Sequence, residues 1–189
     1  MMSRRLWPGV RLEVHTLPGL TGPLQAGVDL CVTLGTEPAR GPFRAFRLAE
    51  VDVALFASPE YLAAHAPIES VADLDGHALL IWQAPGEPIP EVLPHKLGPD
   101  VPIDPVYVTD NADVLHGMVS AHSGVAFMPH RDPPPDHFGE FVPVLLESIG
   151  SARTLRLLVS NAVVDVPRIK LLIEVIEQLI PEFPAPTPA

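Results

Sequence analysis

The chain has 189 residues, of which 47% are hydrophobic, and this length suffices to bury a core as one large domain or two small lobes. A formal net charge of -11, with only 12 scattered lysines and arginines, weighs against a surface that binds nucleic-acid phosphates. No apolar run approaches the ~20 residues that span a bilayer, no secretion signal opens the chain, and the single cysteine, Cys31, excludes an internal disulfide, so we expect a cytoplasmic protein.

The first predicted elements are two strands joined by a short crossover. Residues 10–17 alternate apolar and charged side chains like a half-buried strand, and residues 28–34 form an apolar run typical of a strand buried on both faces. Cys31 lies in the second run, which predicts a core position for it. Prolines and glycines between the runs leave only one or two helical turns, around residues 24–26.

An apolar strand then passes directly into a capped helix. We expect a turn at residues 49–50 and a strand over residues 51–57. Ser58 supplies an N-cap hydroxyl, Pro59 occupies the first helical position, and Glu60 places an acid near the positive helix end. The pattern therefore predicts a corner between a strand and a helix.

The next predicted elements are a strand over residues 77–82, a strand over residues 101–110 and a helix. Asp110 or Asn111 caps this helix, and Gly124 ends it before a short apolar strand. A strand, a helix and a strand in succession form a right-handed crossover, which belongs to a parallel sheet.

The chain closes with two more predicted strands and an amphipathic helix. The strands cover residues 141–146 and 154–160, and the helix opens at Asp165 and Pro167. Apolar residues recur along this helix at a spacing of three and four, which predicts one buried face.

Six segments in this order resemble the effector-binding domain of LysR-type transcriptional regulators. They are PGVRLEV, AGVDLCVTLG, FASPEYLAAH, DLDGHALLIW, VTDNADVLHGMVSAHSGVAFMP, and RLLVS with the final helix. The resemblance implies an α/β, two-lobed, type 2 periplasmic-binding-protein-like fold. It assigns residues 9–57 and 159–181 to the first lobe and residues 58–158 to the second, followed by a disordered tail over residues 182–189.

The resemblance also has two departures. In the family, a winged helix-turn-helix precedes the sensor, and an initial strand and helix open the first lobe. Nothing before Pro8 matches either part. We therefore expect a first lobe without its initial strand and helix, with backbone groups to be satisfied elsewhere, and a chain without its own DNA-binding module.

In the family, a small effector, often an organic acid, binds between the lobes on strand ends and helix N-termini, which offer N–H donors. The matching positions here are Leu34, Gly35, Thr36, Ala57, Ser58, Trp82, Gln83, Thr109, Asn111, Phe127, Met128 and Pro129. Ser58 and Asn111 are equally well explained as helix caps. Core packing is the alternative for Trp82, Phe127 and Met128.

Further features of the sequence argue against strong anion binding, metal binding and catalysis. Asp110 and Asp113 place acids beside the helix start, and His122 stands where the family tends to have glycine, so it either alters the cleft or faces solvent. The eight histidines form no metal motif, and the chain contains no GxSxG, SxxK or GxxxxGK motif. We expect no metal, no cofactor and no catalytic residue, and so no enzyme.

The resemblance implies a regulatory domain that binds a small, acidic organic metabolite in transcription regulation, and a homodimer or a heteromer with a related regulator. Direct contact with nucleic acid or membrane is not expected. The alternative is a DNA-binding-deficient partner or decoy of full-length LysR-type regulators without a ligand. A third possibility is a solute-binding protein of the same two-lobed architecture.

Overall fold

The computed structural model describes residues 13–15, 27–35, 41–129 and 140–179. The strands within these ranges are β1 (Leu30–Gly35), β2 (Phe43–Ala57), β3 (Leu79–Trp82), β4 (Val92–Leu93), β5 (Val101–Pro102), β6 (Tyr107–Thr109), β7 (Val125–Pro129), β8 (Val142–Val144) and β9 (Ser151–Ser160). The helices are α1 (Pro59–Ala64), a 3₁₀ helix (Val71–Gly76), α2 (Ala112–Ser120) and α3 (Pro167–Leu179).

Most of the described strands form one mixed sheet. Its order is β1-β9-β2-β7-β3-β6, with β8 beside β2, while β4 and β5 form a separate pair. β3 lies between β6 and β7 and is parallel to both, whereas β1, β9, β2 and β7 pair antiparallel with one another. The predicted crossover from β6 through α2 to β7 in a parallel sheet is confirmed.

β2 is a single strand, so the turn predicted at residues 49–50 is wrong. β9 pairs with β2 on both sides of that point, from Phe43 to Val53, and the register shifts by one residue between Arg47 and Ala49. A β-bulge therefore accommodates the extra residue, Leu48, while the strand continues. The predicted corner at the end of β2 is confirmed, since α1 follows directly with Ser58 as its N-cap.

Other strand predictions also need correction. The strand predicted over residues 101–110 is divided into β5 and β6, because Pro102 and Pro105 cannot donate hydrogen bonds to a ladder. β1 is not buried on both faces, since Val32 is 54% exposed and Cys31 is only half-buried. The final helix is confirmed as α3, with Ile169 buried.

The buried side chains form two hydrophobic clusters. The larger cluster runs from Val53 to Ile149 and packs both faces of β3 and β7. The smaller cluster consists of Leu157, Val159, Val164, Ile169 and Ile173. β2 contributes to both clusters, since Val53 and its neighbours pack in the larger one and Phe46 packs against the smaller one, whereas β9 contributes Leu157 to the smaller one.

The lobe boundaries after residues 57 and 158 stay a prediction. Of the strand predicted over residues 10–17, the described residues 13–15 carry no strand, and Val14 is 89% exposed. The remaining residues of that strand, the helical turns at residues 24–26 and the tail over residues 182–189 lie outside the described ranges. Among the described helices, none is long and apolar enough to cross a membrane.

Candidate functional site

Several predicted site residues meet at the carboxyl ends of the parallel strands. Trp82 of β3 is in register with Thr109 of β6, and the Gln83 N–H donates to the Thr109 carbonyl over 2.9 Å. Pro129 ends β7 and is in register with Val53 of β2. The sheet therefore brings these strand ends to one edge, as expected for a ligand site of an open α/β sheet.

The tight loop after β3 carries Glu87, whose carboxylate reaches from this edge to β9. The Gln83 side-chain amide donates to the Glu87 carbonyl over 2.6 Å, and the Glu87 N–H donates to the Ala84 carbonyl over 3.0 Å. Arg153 Nη1 then donates to the Glu87 carboxylate, at 3.2 Å from Oε1 and 3.0 Å from Oε2. The two side chains are 20% and 26% exposed, so this ion pair is mostly shielded from water.

The end of β1 approaches the same carboxylate. A Cβ atom placed on Gly35 would lie 3.3 Å from Glu87 Oε1, which is closer than most such contacts. The Gly35 carbonyl also accepts a hydrogen bond from Arg156 Nη1 over 3.2 Å. Glycine at this position therefore leaves room for the Glu87 side chain.

Two polar atoms beside the ion pair are buried and have no hydrogen-bond partner among the described residues. They are Ser151 Oγ and Arg153 Nε. Residues two apart on a strand point to the same face, so both atoms lie on one face of β9. A buried donor without a partner costs free energy, which a ligand could recover by accepting from it. We call Gly35, Gln83, Glu87, Ser151 and Arg153 the Arg153 cluster.

Ala57 and Ser58 lie at the opposite end of the sheet, where β2 ends. Ala57 is in register with Val142, whereas Val53 is in register with Ser151 and Pro129. Five residues of strand separate Ser58 from Val53, which is about 16 Å at 3.3 Å per residue. The predicted site residues are thus divided between two ends of the sheet.

Ser58 there has two local partners. Its Oγ accepts from the Tyr61 N–H over 3.2 Å, which caps α1, and lies 2.8 Å from His122 Nδ1. Glu60 Oε2 is 3.7 Å from the same ring nitrogen. Because serine and acid face one nitrogen instead of two, this is not the geometry of a Ser-His-acid relay. We call Ser58, Glu60, Tyr61 and His122 the capping cluster.

His122 ends α2 in the left-handed backbone region, with φ 55°. The Ser123 N–H donates to the Met118 carbonyl and the His122 N–H to the Val119 carbonyl, the two bonds of a Schellman motif. Glycine is usual at this position because it has no Cβ. The ring is bound to Ser58, far from the carboxyl strand ends, so His122 does not alter the Arg153 cluster directly.

Comparison with known proteins decides the family. The model of the LysR substrate binding domain matches residues 3–180. The chain belongs to this family. The regulator CrgA of Neisseria meningitidis serogroup C is 27% identical over 120 residues, which are 64% of this chain and 40% of CrgA. The chain thus spans about two fifths of the length of the curated relatives it matches.

Solved structures of LysR-type regulators share the fold. The CrgA regulatory domain superposes with a TM-score of 0.75 at 21% identity, covering 94% of this chain and 87% of that one. Full-length AphB of Vibrio cholerae gives 0.72 at 19% identity, covering 94% and 60%. The effector domain of AmpR from Pseudomonas aeruginosa gives 0.60 at 16% identity, covering 95% and 85%. The α/β, two-lobed, periplasmic-binding-protein-like fold and the LysR resemblance are confirmed.

Within this LysR substrate-binding domain, five predicted site residues pack in or against the larger hydrophobic cluster. They are Leu34, Ala57, Trp82, Phe127 and Met128. Trp82 is 6% exposed, and its Nε1 donates to the Asp110 carbonyl over 3.1 Å. These contacts match the core alternative and leave little apolar surface for a ligand.

Asn111 has the geometry of a helix cap in this domain. Its Oδ1 accepts from the N–H groups of Asp113 and Val114, at 3.0 and 3.3 Å, while its own N–H donates to Thr109 Oγ1 over 3.1 Å. Asp113 lies in the first turn, so the helix start carries a negative charge. Thr36 lies outside the described residues.

Glu87, Ser151 and Arg153 of this LysR domain are not among the residues predicted from the sequence. Arg153 near the start of β9 is a signal that could have indicated the site, but its partner is 66 residues away and belongs to a proline-rich loop. Among the described residues there is no group of three or more histidines, cysteines and acids that could hold a metal ion. Burial raises the pKa of the Cys31 thiol, which lowers its reactivity.

Proposed function

We propose that this chain binds a small organic acid at the Arg153 cluster and that this binding is an input to transcription regulation. The observation that carries the proposal is the pair of buried, unpartnered atoms, Ser151 Oγ and Arg153 Nε, beside the carboxyl ends of the strands. Membership of the LysR substrate-binding domain family supports the regulatory role. A cytoplasmic location is part of the proposal, since the relatives are transcriptional regulators.

The chemistry of the cluster favours an acid. A guanidinium binds carboxylates through paired N–H donors, and such charge-assisted hydrogen bonds are about twice as strong as neutral ones. Ser151 adds a hydroxyl on the same face of β9. The Arg153 side chain is only 20% exposed, so its interaction with an acid would be weakly screened by salt.

The output of binding would be a change in the relation of the two hydrophobic clusters. Of the described strands, β1 and β2 contribute side chains to both regions, Leu34 and Val53 to the larger cluster and Leu30 and Phe46 to the smaller one. Val53 is also paired with Ser151 of the Arg153 cluster. Gly150 precedes this point, and a Cβ there would lie 3.2 Å from the Val53 carbonyl oxygen. A ligand that contacts β9 and the loop after β3 would favour one arrangement over others.

Association with a second copy or a related regulator is a further part of the proposal. Apolar side chains are exposed at the start of β6, the last strand of the sheet among the described residues, and on the adjoining helix α2, with Val106 just before β6 73%, Tyr107 39% and Val114 40% exposed. An unpaired strand edge beside apolar side chains favours pairing with another chain. Val106→Asp should lower the sedimentation-derived mass to that of a monomer, and an unchanged mass would exclude this surface.

A thermal-shift screen tests ligand binding. We expect at least one small carboxylate to raise the melting temperature in a concentration-dependent way, while its neutral amide does not, since ligands that bind the folded state stabilise it. Arg153→Gln should remove the shift, and Arg47→Gln, on the exposed part of β2, is the matched control. If no compound raises the melting temperature of the wild type, the alternative function, a partner of full-length regulators without a ligand, is favoured.

A further inference from the structure

Glu87 already binds part of the Arg153 guanidinium, the group proposed to bind the ligand. Its carboxylate accepts from Arg153 Nη1 over 3.0 and 3.2 Å, while Arg153 Nε is left without a partner among the described residues. The guanidinium thus presents one engaged side to the loop after β3 and one buried donor that is not used. The protein's own acid lies where an acidic ligand would bind.

The fold holds Glu87 in this position. The Gln83 side chain fixes the loop through the Glu87 carbonyl, and the absence of a side chain at Gly35 leaves space for the carboxylate. Ala84 of the loop is buried in the larger hydrophobic cluster, and Arg153 lies in β9, whose Leu157 is buried in the smaller one. The ion pair therefore joins a loop that packs in the larger cluster to a strand that packs in the smaller one.

A second carboxylate on the same guanidinium would face Glu87. Two like charges ~5 Å apart at an effective dielectric constant of about 20 repel each other enough to lower affinity by roughly a hundredfold. Simultaneous binding of Glu87 and an external acid to Arg153 is thus disfavoured. Binding of one weakens binding of the other, and this antagonism is reciprocal.

We propose that Glu87 is an internal competitor of the acidic effector: it holds Arg153 when the effector is absent, and effector binding releases it. The inference rests on the proposed function, because it assumes that an external acid binds Arg153. Release of Glu87 frees the loop at residues 83–87 from β9. Acid binding is thereby converted into a loss of one contact between the loop and β9.

Charge removal at Glu87 separates this proposal from a purely structural role. Glu87→Gln keeps the shape of the side chain and an oxygen that can accept from Arg153, but it removes the competing charge. We expect this variant to bind carboxylates about tenfold more tightly or better, since charge-assisted bonds are the stronger ones. Glu50→Gln is the matched control, because Glu50 is 58% exposed and pairs with Arg47 at the surface.

The experiment uses acetate, succinate and benzoate, each with its neutral amide, on the whole chain. Thermal shifts identify binding, and calorimetric titration gives affinities for the wild type, Glu87→Gln, Glu50→Gln and Arg153→Gln. The proposal expects a carboxylate to bind Glu87→Gln most tightly, Glu50→Gln like the wild type, and Arg153→Gln not measurably. Hydrogen exchange should show faster exchange at residues 83–87 when the carboxylate binds the wild type.

The possible failures are distinguishable. Equal carboxylate affinity in the wild type and Glu87→Gln overturns the competition and leaves the proposed function standing. Binding of a neutral amide alone overturns both the competition and the acidic class of the effector, but not effector binding. If neither the wild type nor Glu87→Gln binds any carboxylate or amide at millimolar concentration, the proposed function and the competition both fall.

Discussion

The capping cluster and the Arg153 cluster, at opposite ends of the sheet, differ in whether their buried polar atoms have hydrogen-bond partners. At the capping cluster, Ser58 is 2% exposed, and its hydroxyl contacts both the Tyr61 N–H and the His122 ring. At the Arg153 cluster, Ser151 Oγ and Arg153 Nε are buried without a partner among the described residues. Polar groups that the fold satisfies itself are structural, whereas buried ones left over are candidates to bind a ligand.

The largest expected effect tests the close packing near the capping cluster. An alanine Cβ at Gly124 would overlap the Ala78 carbonyl oxygen, which is backbone and cannot rotate away. Gly124→Ala should lower the free energy of unfolding by about 3 kcal/mol. Urea denaturation measures this, with Gly76→Ala as control because nothing lies within 4 Å of its added Cβ. Equal midpoints for the two variants would show that this end is not tightly packed.

The next effect tests whether Ser58 is structural. Ser58→Ala removes the cap of α1 and the contact with His122, and it should cost about 2 kcal/mol of unfolding free energy. Carboxylate affinity should stay unchanged. Ser70→Ala, which changes the exposed cap of the 3₁₀ helix, should cost less. A loss of carboxylate binding in folded Ser58→Ala would move the ligand site to the capping cluster.

A third comparison concerns the strength of the ion pair at the Arg153 cluster. A double-mutant cycle with Glu87→Gln and Arg153→Gln should give a coupling free energy of about 1 kcal/mol, since the pair is mostly buried. The same cycle on Arg47 and Glu50, which are 64% and 58% exposed, should give about 0.3 kcal/mol. Equal couplings would mean that the Glu87 contact is an ordinary surface pair.

The smallest effect tests the backbone at His122. His122→Gly and His122→Ala both remove the ring and its contact with Ser58, so they differ only in the cost of a positive φ. His122→Gly should be more stable than His122→Ala by about 1 kcal/mol. Thermal denaturation of the two variants side by side gives this difference. Equal stability would argue against the left-handed conformation at this position.

Local signals in the sequence predicted the local elements well. Ser58 and Pro59 mark the start of α1, Asn111 that of α2, and Pro167 that of α3. These signals depend on hydrogen bonds and dihedral angles within a few residues. The predicted turn at residues 49–50 was wrong because pairing with β9, about a hundred residues later, keeps β2 extended.

The candidate site was likewise predictable only where local signals mark it. The edge formed by Trp82, Gln83 and Thr109 follows from their positions at the ends of parallel strands. Arg153 and Glu87 escaped because no local pattern pairs residues so far apart, and only the register of β9 brings them together. Ser58 was included among the ligand residues because a cap and a ligand donor have the same composition.

The central claim is that the Arg153 cluster, with its unpartnered polar atoms, binds the ligand and that the capping cluster, with its satisfied ones, does not. Calorimetric titration of the carboxylate that binds Glu87→Gln best, into folded Ser58→Ala and folded Arg153→Gln, tests it directly. The account predicts wild-type affinity in Ser58→Ala and no measurable binding in Arg153→Gln. Binding that survives Arg153→Gln, or that disappears in Ser58→Ala, would contradict it.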